Sequence, residues 1–80
     1  MRSLDRYELE TLRLFASGRT ADEIAVALNV RKGTAGYYLR VATRKLRAKN
    51  RVHAVAIAVR QGLIEPSRAD LKDNSADETN

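Results

Sequence analysis

Apolar residues in this chain fall into four short runs at helical spacing, and each run is bounded by residues suited to cap a helix. In the first, Leu9, Leu12, Phe15 and Ala16 follow Asp5, whose carboxylate suits an N-cap, and Glu8 stands where a capping box needs it. Ser17-Gly18 stops the run, so the pattern predicts a helix over about Arg6 to Ser17. Thr20 and Glu23 repeat the capping pair ahead of Ile24, Ala25 and Leu28, and this second helix is expected to run to about Leu28. A third spans about Lys32 to Leu46, with Ala35, Leu39, Ala42 and Leu46 inward and Gly33, Gly36, Tyr37, Arg40 and Arg44 opposite. Asn50 caps a fourth over about Arg51 to Gln61, which Gly62 ends.

Four helices and no strand pattern predict an all-α domain over residues 1–64, closed by Leu63 and Ile64. Asn29 tolerates the left-handed conformation, so Leu28 to Arg31 makes a tight turn that sends the third helix off steeply from the second. Small Ala25 and Ala35 allow a close crossing there, and the pair has the form of a helix-turn-helix. Two glycines inside the third helix each cost about 1 kcal/mol relative to alanine. Gly33 and Gly36 either let the backbone lie close to a ligand or simply mark a weak first turn. The fourth helix is apolar nearly all round. Ala54, Val55 and Ala58 are assigned inward and Val52, Ala56 and Val59 to a twofold partner, with Ile57 open to either; the alternative is a fully buried central helix.

Charge sharpens this picture. Residues 1–64 carry thirteen Lys/Arg against five acids, whereas 65–80 carry two against five, so a basic domain precedes an acidic segment expected to be disordered. That tail either solubilises the protein or competes with a ligand for the basic face. Val30 to Arg51 holds eight Lys/Arg and no acid, which points to a polyanion, with nucleic acid as the expected partner. An anionic membrane is the rival, but a membrane-surface helix needs bulky apolar residues where this stretch offers Ala, Gly, Thr and Tyr. No signal peptide or spanning segment is evident, and a cytoplasmic location is expected.

Eighty residues bury only about 60% of their unfolded surface. With no Cys and a single His, neither disulfides nor zinc can supplement that core, and dimerisation is the remaining support. No cofactor or metal is expected. No nucleophile-base pair or phosphate-cradling loop is visible, KGTAG not being a P-loop, so an enzyme is not expected. His53 reads as a polar residue opening the fourth helix, with pH sensing as the alternative.

Leu4, Glu8, Glu10, Leu12, Leu14, Ala16 and Gly18 are followed by T-x-x-E-I-A from Thr20 to Ala25. Thr34, Lys45-Leu46, Asn50-Arg51, Ala54-Val55, Ala58 and Gly62-Leu63-Ile64 continue the series. On these residues the chain from Leu4 to Ile64 resembles the LuxR-type (GerE/NarL/FixJ-like) DNA-binding domain, which implies double-stranded DNA as the partner. Arg6 replaces the usual Pro, Thr11 an aliphatic, Arg31 the Ser that caps the third helix, Ala35 a Val, and Tyr38 a His.

The family geometry implies that the third helix enters the major groove, with Gly36, Tyr37 and Arg40 facing bases. Arg40 can grip guanine O6 and N7 with its fork, while Tyr37 either touches a base or is an exposed aromatic. Thr20, Arg31, Lys32, Thr34, Arg44 and Lys45 are phosphate candidates, as is the hydroxyl of a half-buried Tyr38. With Met1 directly ahead of the module, a homodimeric, single-domain transcriptional regulator is expected. Alternatives are an antagonist that sequesters a full-length LuxR-type protein as a heterodimer, and a module similar to region four of a sigma factor. The last implies contact with RNA polymerase.

Overall fold

A computed structural model describes residues 3–65, and four α-helices occupy them: α1 Arg6–Ala16, α2 Ala21–Leu28, α3 Lys32–Lys45 and α4 Arg51–Arg60. The all-α class expected from the pattern is present, with no strand among the described residues. Each helix starts where its cap places it, while α1, α3 and α4 end one residue earlier than the periodicity suggests. Apart from Glu65, the acidic segment expected to be disordered lies outside the described residues.

Local chemistry accounts for these boundaries. Asp5 Oδ1 accepts from the Glu8 amide at 2.8 Å while Glu8 Oε1 accepts from the Asp5 amide at 3.0 Å. Thr20 and Glu23 repeat the reciprocal pair on α2, with Thr20 Oγ1 accepting at 3.2 Å and Glu23 Oε1 at 2.9 Å. Asn50 Oδ1 caps α4 by accepting from the His53 amide at 2.8 Å. His53 returns the favour one residue further out, its Nδ1 accepting from the Lys49 amide at 3.0 Å, so it serves the start of α4 as a capping residue.

All four helices close with the same backbone device, an amide reaching back five residues to a carbonyl across a left-handed residue. The bonds are Arg19 to Leu14, Val30 to Ala25, Ala48 to Thr43 and Leu63 to Ala58, at 2.8 to 3.1 Å. Gly18 (φ +95°), Asn29 (φ +58°) and Gly62 (φ +76°) take the left-handed position as their side chains allow. The exception is Arg47 at φ +57° after α3, where a β-carbon costs about 1 kcal/mol.

The core is small and rich in alanine. Leu12, Ile24 and Leu39 are the largest apolar side chains with no exposure, joined by Ala35, Ala42, Ala54 and Ala58, also fully buried. Ala25 and Ile64 complete the cluster, against which Leu46, Val55 and Val59 pack from its margins. α3 touches every other helix, so its inward face is the axle of the domain. At the far end of that face Lys45 reaches α1, its Nζ 2.7 Å from Glu8 Oε1 and 3.4 Å from the Ser3 carbonyl oxygen. Glu8 is 5% exposed, so one carboxylate both caps α1 and binds α3.

Thr11 is the discordant core residue: it is fully buried and its Oγ1 has no hydrogen-bond partner. An unsatisfied buried hydroxyl carries its whole desolvation penalty. Thr11→Val, which keeps the shape and removes the hydroxyl, is expected to raise unfolding stability by about 1 kcal/mol in urea melts at unchanged slope. A lower midpoint would mean that the hydroxyl has a partner in solution.

Candidate nucleic-acid interface

Burying one stripe of α3 leaves the other bare. Ala35, Leu39 and Ala42 have no exposure, whereas Gly33, Tyr37, Arg40 and Arg44 are exposed and Gly36 is half-buried. A β-carbon at Gly33 or Gly36 would meet no neighbouring atom, so nothing inside the domain requires glycine at either position. α3 carries no acid of its own: the acids of this domain lie on α1, α2 and the flanking turns, and two of them, Asp22 and Glu8, reach Lys32 and Lys45.

The structure sorts the cations and hydroxyls of this surface into distinct environments. Arg31 and Arg44 are exposed, and Arg31 stands at the N-cap of α3 without any side-chain cap bond. Lys32 Nζ is 3.4 Å from Asp22 Oδ1, but both side chains are about 70% exposed, and such a pair is worth well under about 1 kcal/mol. Thr20 is exposed, and its oxygen is engaged with Glu23, which leaves its own hydrogen to donate outward. Thr34 is half-buried. Lys45 stands apart from these phosphate candidates: Glu8 holds it against α1, with its side chain 22% exposed.

Aromatic rings continue the surface. Tyr38 stacks on Tyr7 of α1 at 5.6 Å between centroids and 16° between planes. Tyr37 stands tilted to Tyr38 at 6.1 Å, and the Arg40 guanidinium carbon lies 5.8 Å from the centre of the Tyr37 ring. Beyond Arg40 an open depression of about 710 Å³ is lined by Arg40, Arg44 and Arg51, carrying positive charge on to the start of α4. Arg51 and Tyr7 escape sequence reasoning, since neither belongs to the outward face of α3. The run of cations through Arg51 was the available signal for the first, but Tyr7 had none.

On α4, Ala54, Ile57 and Ala58 are buried while Val52 is 72% exposed and Ala56 is also exposed. Ile57 thus belongs to the core. Val59, grouped by the pattern with the outward residues, is half-buried and packs on the same core. The bare stripe within this chain is therefore Val52 and Ala56, one turn apart.

Two helices joined by the Asn29 turn, the second presenting an exposed basic face, define a helix-turn-helix domain of the DNA-binding type. Comparison with known families gives the same answer: residues 2–58 match the model described as bacterial regulatory proteins, luxR family, and the chain belongs to that family.

Among similar proteins is the transcriptional activator protein BjaR1 of Bradyrhizobium diazoefficiens, 42% identical over 59 residues. That match covers 74% of this chain and 24% of BjaR1. The quorum sensing-dependent transcriptional regulator RpaR of Rhodopseudomonas palustris is 47% identical over 57 residues, 71% of this chain and 24% of RpaR. PhzR of Pseudomonas fluorescens, a transcriptional activator protein, is 44% identical over 57 residues, 71% of this chain and 23% of PhzR. The chain thus matches about a quarter of the length of these relatives.

The uncapped start of α3 yields a test. Arg31→Ser should restore a side-chain cap and raise stability by about 1 kcal/mol in thermal or urea unfolding. A midpoint that stays put or falls would show that the first turn is satisfied by other means.

Proposed function

We propose that this chain is a sequence-specific transcriptional regulator that inserts α3 into the major groove and binds as a homodimer. The observation that carries the proposal is the division of α3: one stripe fully buried, the other bare, basic and without acids. In this reading Arg40 reads guanine bidentately, Gly36 lets the backbone approach the base edges, and Tyr37 lies beside them. Arg31, Lys32, Thr20, Thr34, Arg44 and the Tyr38 hydroxyl hold phosphates, joined by Arg51 from the start of α4. Lys45 is left to its internal pair with Glu8. Val52 and Ala56 form the partner contact, with Val59 at its margin.

A second reading is favoured by one observation, the absence of a side-chain cap on α3. A domain whose reading helix is weakly started, but whose α4 stripe is intact, suits an antagonist that captures a LuxR-type relative as a heterodimer. The protein alone binding selected duplexes tightly and salt-sensitively would exclude this.

Two measurements test the main proposal. On duplexes recovered by selection from a random library, Arg40→Ala is expected to lose about tenfold to a hundredfold in affinity, with little change on unselected DNA. Equal losses on both would remove the base-reading role. In sedimentation equilibrium with and without the selected duplex, Val52→Asp is expected to lower the protein-protein association of the parent. A monomer at every concentration for both proteins, in both conditions, would refute the homodimer.

A further inference from the structure

Tyr37 and Tyr38 are neighbours on a helix, so their side chains leave the axis about 100° apart. Tyr37 goes out to solvent at 52% exposure, while Tyr38 turns towards α1 and becomes half-buried. There it meets Tyr7, and the nearly parallel rings at 5.6 Å form an offset stack within the range favoured for aromatic pairs. Tyr38 in turn backs the tilted Tyr37 ring at 6.1 Å, and Tyr37 sits three residues before Arg40, the spacing that brings side chains together on a helix. The Arg40 guanidinium carbon is 5.8 Å from that ring centre, inside the reach of a cation–π contact. Among the described residues no carboxylate pairs with Arg40, so the ring is its one recorded restraint.

We propose that Tyr37, backed by Tyr38 and Tyr7, is a positioning residue that holds the Arg40 guanidinium in place on the outward face of α3 before DNA arrives. This rests on the base-reading role of Arg40. A long arginine side chain loses rotamer freedom when it docks on a base edge, and a contact already made in the free protein lowers that loss. The ring must survive for this to work, but the Tyr37 hydroxyl need not. α1 gains a task in recognition, because Tyr7 braces the ladder from outside the helix-turn-helix.

The full chain and its Tyr37→Phe, Tyr37→Leu, Tyr7→Leu and Arg40→Ala variants decide the matter, each first checked for an unchanged helical circular dichroism spectrum. In the free protein, NMR should find the Arg40 δ-methylene protons shifted upfield by the Tyr37 ring. That shielding is expected to persist in Tyr37→Phe, to disappear in Tyr37→Leu and to weaken in Tyr7→Leu. On a duplex recovered by selection, Tyr37→Leu is expected to bind about two- to fivefold more weakly than Tyr37→Phe, which keeps the ring. Unshielded Arg40 protons in the parent, or shielding unchanged by Tyr37→Leu, would overturn the proposal, as would a Tyr37→Phe loss as large as that of Tyr37→Leu. Shielding untouched in Tyr7→Leu would remove α1 from the ladder. If Arg40→Ala binds as tightly as the parent, the base-reading role fails, and the shielding comparison still decides whether the brace exists.

Discussion

The whole domain depends on gripping one helix along a single narrow stripe. Ala35, Leu39 and Ala42 are the points at which α3 is fully buried, and two of the three are alanines that contribute little apolar area themselves. Their value is steric: small side chains let α1, α2 and α4 come close to the α3 axis. The opposite face is thereby left bare over most of its length. Gly33 and Gly36 weaken the same helix from within and Arg31 leaves its start without a side-chain cap, so α3 owes its form to its neighbours rather than to its own propensity.

Support for α3 comes from polar chemistry at the ends of the elements. Glu8 completes the capping box of α1 and binds Lys45, so a change at this one carboxylate reaches both helices. A charge pair with so little exposure is costly to desolvate, and hydrogen bonds on both partners are what make it tolerable. The remaining acids of the folded part are engaged in the same manner, Asp5 and Glu23 in caps, Glu10 with Arg13 at 2.8 Å and Asp22 with Lys32. These tasks keep negative charge on α1, α2 and the turns, and on the outer face of α3 Arg40 and Arg44 keep a positive field that no acid among the described residues pairs with. Capping chemistry and surface charge are thus two consequences of one placement of carboxylates.

Local features were legible from the chain alone wherever one residue type has one physical use. Asp5, Thr20 and Asn50 as caps, and Gly18, Asn29 and Gly62 as left-handed terminators, act over three to five residues, and all behave as the pattern predicts. Arg47 does not announce itself, because arginine has no preference for the left-handed region and takes it only as the chain turns from α3 into α4. The outward face of α3 was equally readable, since a helix with apolar residues on one side must expose the other. On α4 the pattern was ambiguous because nearly every position is apolar, and only packing shows that Ile57 is buried and that Val59 leans on the core.

What the sequence determined by itself was therefore the order of four helices, the capped starts of α1, α2 and α4 and the basic outer face of the third; caps act between near neighbours in the chain, whereas α3 takes its helical form from packing. Tertiary structure decided which charges and rings remained at that face. Lys45 lies in the basic stretch like any other cation, yet 37 residues of separation from Glu8 vanish on folding and the pair withdraws it to α1. Tyr7 looks like a surface residue of the first helix until Tyr38 stacks against it, and Arg51 joins the cations of α3 only when α4 folds back beside them. Such contacts have no periodicity and no local signature, because they arise from where separate elements are brought together.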